Sequence, residues 1–220
     1  MIFVLAMLAG TAFDGLRETR PWFVLFWQDP LGLLTPLVGE RPIIGFVAAM
    51  PWYRAWDTLW LLAAPFLYFG AFYFSLALAR ALARTTRSLH DLVLDFANTL
   101  LPIVLAYHAA HYCTLLIDQG PKILSLLSDP FGFGWDLFGT AQRFRAATIP
   151  DLTWTWHAQV LLILAGHISS VVLAHRVALR VFATRRQALA SQLPILLLMV
   201  SFTVFGLWIL AQPLQATMVR

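Results

Sequence analysis

The chemistry this sequence could carry rests on histidines set in apolar surroundings. His108 and His111 stand three residues apart between Tyr107 and Tyr112. His157, His167 and His175 recur along a second apolar stretch. Imidazole suits copper and zinc, and histidines at i and i+3 share a helix face, so His108, His111 and His157 could form a metal site. A b-type haem needs two facing imidazoles across an apolar cleft. His111 with His157, or His108 with His167, would supply them. The third reading is plain packing, with neutral histidines hydrogen-bonded across helices to Ser, Tyr or backbone groups. Histidines three apart recur by chance, so spacing leaves these readings open.

A second polar group lies further along the chain toward the N-terminus. Asp91, Asp95 and Asn98 fall on one helix face, with Pro102 one turn beyond. An ionisable group at membrane depth is costly and invites a functional reading. Asp95 and Asn98 could be steps of a proton or cation path. Alternatively, Asp95 pairs with Arg84 or Arg87 from the adjoining basic segment. Motifs of soluble chemistry are missing from the sequence: no P-loop, no dinucleotide glycine fingerprint after a strand, no nucleophile elbow and no HExxH. Cys113 is the single cysteine, so no internal disulfide can form, and it has no evident activating partner.

The elements that must position these residues are apolar runs of membrane length. The 220 residues are 60% hydrophobic and only 12% charged, about half the charged fraction of a soluble domain. Four runs have the roughly 20 residues that a spanning helix needs: 57–79, 92–116, 152–174 and 193–210. A shorter apolar run, 1–13, ends at Asp14 and reaches only about 20 Å as helix, short of the roughly 30 Å hydrocarbon core. It lacks the basic start and cleavage site of a signal peptide. We therefore expect either a thin or re-entrant first segment or the C-terminal part of a longer protein. The predicted fold is an all-α bundle of about five spans, forming a single transmembrane domain over 1–220.

Arginines set the expected orientation. Arg80, Arg84 and Arg87 follow the second run, and Arg176, Arg180, Arg185 and Arg186 follow the fourth, neither group containing an acid. Short basic loops are cytoplasmic. The N-terminus is then inside and the C-terminus outside. All nine tryptophans fall near the outer side of this arrangement. Indole prefers the headgroup region, so 21–56 and 121–148 read as interfacial segments, with Pro30, Pro36, Pro42 and Pro51 breaking the first into pieces. The net charge of +4 belongs to these loops, and no separate basic face offers itself to nucleic acid. Gly166, Ser170 and Ala174 form a small-residue stripe for helix packing, as do Ala63, Gly70 and Ala77. His167 borders the first stripe and should face a neighbouring helix.

The segments TAFDGLRETRPW, YHAAHY, DPFGFGWDLFGTA and AGHISSVVLAH resemble motifs of an uncharacterised family of bacterial polytopic membrane proteins. The resemblance covers most of the chain. That family has no assigned activity, so the resemblance implies a multi-span membrane protein and no residue role. Its members are often longer at the N-terminus, in keeping with the short first run. The expectation is a non-enzymatic scaffold or permease-like component of a bacterial inner-membrane assembly, with lipid and either further membrane subunits or copies of itself as partners. The alternative is a redox subunit holding haem b or copper at His108, His111, His157 and His167.

Overall fold

A computed structural model describes residues 2–29, 32, 34–39, 45–143 and 151–212. Most of these residues are helical, with no β-sheet among them. The helices are α1 (Ile2–Arg17), α2 (Arg20–Trp27), α3 (Thr35–Val38), α4 (Phe46–Ala83), α5 (Leu89–Ala97), α6 (Leu101–Ser128), α7 (Leu152–Val181) and α8 (Arg185–Ala211). A 3-10 turn, Asn98–Leu100, joins α5 to α6. Four helical stretches are long and apolar enough to cross a membrane: Val47–Ala83, Leu89–Ser128, Thr153–Val181 and Arg185–Ala211. This is the build of an integral membrane protein.

Local signals fix where the helices begin. Ser88 caps α5 by accepting from the Asp91 N–H, and Asp151 caps α7 by accepting from Thr153 and Trp154. Thr184 and Gln187 form a reciprocal capping box at the start of α8. Helix α4 ends where Arg84 enters the left-handed region, φ 48°. All of these except the Asp151 cap lie at the arginine-rich end of the bundle.

Two boundaries differ from the sequence reading. Pro51 does not end a segment; it lies inside α4, which runs from Phe46 through both Pro51 and Pro65. The carbonyl that Pro51 leaves without its helical donor belongs to Val47, which is 86% exposed near the start of the helix. The third run is not one regular helix. It shifts to 3-10 geometry just before Pro102, then continues past Leu116 through Pro121 to Ser128. Pro30 and Pro42, and part of both expected interfacial segments, lie outside the described residues.

The first helix is short, at 16 residues, yet it belongs to the core. Leu5 and Leu8 are buried in the same cluster as Phe72, Leu76 and Met199. Helix α1 packs against α4, α6 and α8. A polar tie holds the next helix down: the Trp22 indole N–H donates to Asp57 at 2.8 Å, joining α2 to α4. Trp22 also meets Phe13 edge-on, with ring centroids 5.3 Å apart. The small-residue stripe on α7 packs as its composition suggests. A Cβ on Gly166 would lie 2.3 Å from Ala106 Cβ, and Ser170 is fully buried. Gly70 on α4 instead faces open space.

Candidate functional site

The histidines of α6 face α1. His108 Nδ1 lies 2.7 Å from Thr11 Oγ1, and His111 Nε2 lies 2.9 Å from Asp14 Oδ2. Thr11 and Asp14 are three residues apart, as are His108 and His111. Two i, i+3 pairs on two packed helices therefore meet as two rungs of a ladder. The Thr11 hydroxyl is also within 2.9 Å of the Met7 carbonyl, which accepts its proton. With that proton committed, Thr11 can accept from His108 Nδ1–H.

The outer rung continues into a charged group. Asp14 Oδ1 accepts from the Arg17 guanidinium at 2.7 Å, one helical turn along α1. One carboxylate thus holds an imidazole and a guanidinium at once, and fixes the orientation of the His111 ring. Asp14 explains why α1 outlasts its apolar run: the acid has partners on both sides, so the helix can carry it to Arg17.

This group borders a cavity of about 570 Å³ between α1, α6, α7 and α8. Asp14, Arg17, Glu18 and His111 line one part of it, and Thr114, Thr155 and Gln159 another. Apolar walls come from Ala12, Ile163, Ile209 and Leu210. Gln159 is fixed by donating to the Ala110 carbonyl at 2.9 Å. Tyr107 forms part of the floor. Its hydroxyl donates to the Phe202 carbonyl at 2.6 Å, and its ring fills the space a side chain would need at Gly206. The lining residues of α1 and α8 come from their C-terminal ends, and those of α7 from its N-terminal end. The cavity therefore lies at the end of the bundle opposite the arginine loops.

The other singled-out residues are dispersed. His167 Nδ1 meets Thr203 Oγ1 on α8 at 2.9 Å, so it does face a neighbouring helix. His157 Nδ1 lies 2.7 Å from the Thr153 carbonyl of its own helix, and His175 Nδ1 lies 2.7 Å from Gln192 Oε1. Among the described residues, no three His, Cys, Asp or Glu side chains gather as a metal-binding group. His108, His111 and His157 thus do not form a three-ligand set in this structure. Asp95 sits 3.2 Å from Arg87, the ion pair anticipated from the basic segment. Asn98 is exposed at the 3-10 turn. Phe96, Leu100 and Ile103, which lie along the chain between Asp95 and the cavity-lining Tyr107, are fully buried.

Sequence reasoning singled out His108 and His111 as possible haem or metal ligands and missed Thr11 and Asp14, the residues they meet. The matching three-residue spacing of Thr11 and Asp14 was the available signal. No protein-family model, no curated protein and no solved structure matches this chain.

Proposed function

We propose that this chain is a multi-pass protein of a bacterial-type inner membrane, with its N-terminus inside and its C-terminus outside. In this reading it is a non-enzymatic, permease-like component that takes a small amphiphilic solute from the outer side. The observation carrying the reading is the cavity of about 570 Å³, polar around Asp14, His111 and Arg17 and apolar along α8. Its volume falls within the roughly 300–1,000 Å³ typical of small-molecule sites. Apolar walls with a few convergent polar groups suit a solute with an apolar body and a polar head. A purely structural scaffold would leave this chamber without a purpose.

The arginine runs Arg80–Arg87 and Arg176–Arg186 support the orientation. The floor is closed by Tyr107 against Gly206, so onward passage requires that ring to move. With Asp95 held by Arg87 and buried apolar side chains between it and Tyr107 along the chain, the chamber is a binding site first.

Thiol labelling tests the reading. Replacing Cys113 by Ser gives a cysteine-free chain, because it is the sole cysteine. In intact cells or right-side-out vesicles, Thr114→Cys at the cavity should react with a membrane-impermeant reagent from outside. Thr184→Cys, at the α8 cap, should react only after permeabilisation. Reversal of the two would overturn the orientation, and an unreactive Thr114→Cys would overturn the open chamber.

A further inference from the structure

A second exposed surface lies away from the cavity, at the end of α6 and in the loop that follows. Helix α6 has 28 residues. It continues the spanning stretch that starts at Leu89; at ~1.5 Å per residue those 40 residues measure about 60 Å, roughly twice a hydrocarbon core, so the stretch must tilt or bend for its end to stay at the leaflet. The end of α6 keeps one apolar side beside its polar residues. Leu105, Leu116, Ile123 and Leu127 are all exposed. At about 100° per residue they fall within about 40° of one another around the helix. These four mark an apolar side from mid-helix to the last turn, interrupted at Gln119 and Gly120. Asp118 and Lys122, paired at 3.2 Å, fall on the opposite side.

The loop after α6 is tied back to that opposite side. Ser125 Oγ donates to the Thr140 carbonyl, and Ser128 Oγ lies 2.8 Å from Thr140 Oγ1. Asp129 accepts from the Gly134 N–H, Ser128 Oγ from the Phe138 N–H, and Asp136 from the Ala141 N–H. Gly132, Gly134 and Gly139 take positive φ, at 70°, 81° and 68°, which lets the chain turn tightly enough to make these bonds. The result is a loop with much of its polar backbone satisfied internally and its apolar side chains turned out. Phe131, Phe133 and Phe138 are about 70% exposed, and Leu137 and Trp135 are exposed beside them.

We propose that this unit, residues 118–141, is an anchor in the outer leaflet, with the aromatic loop inserted at the boundary of hydrocarbon and headgroups. Three features favour lipid over a second protein. The stripe extends the exposed apolar side of the spanning stretch marked by Leu105 and Leu116. The loop arises from the other side of the helix, so apolar groups surround the helix end, where one protein face would cover a single side. Internal hydrogen bonds remove much of the cost of taking backbone out of water. The proposal rests on the membrane-spanning reading and is independent of what fills the cavity.

Spin labels at Phe133→Cys, Phe138→Cys and Leu105→Cys, each in the Cys113→Ser background and in lipid nanodiscs, test it. Relaxation by oxygen, which concentrates in lipid, is compared with relaxation by a water-soluble nickel chelate. Both loop sites should favour oxygen, at a shallower depth than Leu105, without spin–spin broadening. Access to nickel above oxygen at the loop would place it in water and overturn the proposal. Low access to both, or broadening between copies, would show protein covering it and also overturn it. If Leu105 itself failed to favour oxygen, the spanning reading would fall, a result distinct from failure of the anchor alone.

Discussion

Replacing Gly206 by Ala should destabilise the bundle through a single contact, the Tyr107 ring. A Cβ at position 206 would lie 1.7 Å from the Tyr107 hydroxyl oxygen and 2.1 and 2.2 Å from two ring carbons. Carbon atoms settle at about 3.5–4.0 Å, so the ring must retreat by about 1.5 Å. Retreat breaks the 2.6 Å bond to the Phe202 carbonyl. Overpacking costs about 1–3 kcal/mol and the lost hydrogen bond about 0.5–1.5 kcal/mol, while Ala regains about 0.8–1 kcal/mol in helix propensity. The net cost is about 1–3 kcal/mol. In a Tyr107→Ala chain the clash is gone, and Gly206→Ala should stabilise by up to about 1 kcal/mol. A double-mutant cycle, read by reversible unfolding in mixed detergent micelles, should thus return a coupling of about 2–4 kcal/mol. An equal effect of Gly206→Ala in both backgrounds would refute the packing on which the cavity floor depends.

Ser170→Ala should cost about 1–3 kcal/mol, because the Ile103 N–H, 3.0 Å from Ser170 Oγ in a buried site, loses its acceptor; Ser170→Thr keeps the hydroxyl and tests whether bulk alone is at fault. Asp95→Asn should cost no more than about 1 kcal/mol, since both partners of the Arg87 pair are partly exposed, and should leave solute retention unchanged. Loss of function in that variant would instead make Asp95 part of a proton or cation path. The dispersal of His108, His111, His157 and His167 over separate partners predicts that purified protein absorbs only through its aromatic residues. A Soret band or stoichiometric copper would restore the redox reading.

The long helices were legible because a bilayer demands about 20 apolar residues per span, and composition records that directly. The ion pair of Asp95 with Arg87 and the inward turn of His167 were legible from short-range spacing. The place of α1 was not. A 13-residue run is too short to span, and nothing in its own residues says that Leu5 and Leu8 pack against Phe72 and Leu76. Nor could apolar periodicity show that Asp14, read as the end of that run, bonds to His111 across 97 positions of chain. Pro51 misled because proline stops a helix only where its freed carbonyl has no other outlet, and Val47 lies at an exposed helix start.

The central claim is that the chamber between α1, α6, α7 and α8 holds a small solute. Native mass spectrometry of the chain released from lipid nanodiscs tests it most directly, comparing the unaltered protein with Thr114→Trp, whose indole would fill part of the chamber. The account predicts a small-molecule adduct on the unaltered chain and its loss from the variant, with the helical content of the two alike. The same adduct on both chains, or on neither, would contradict it.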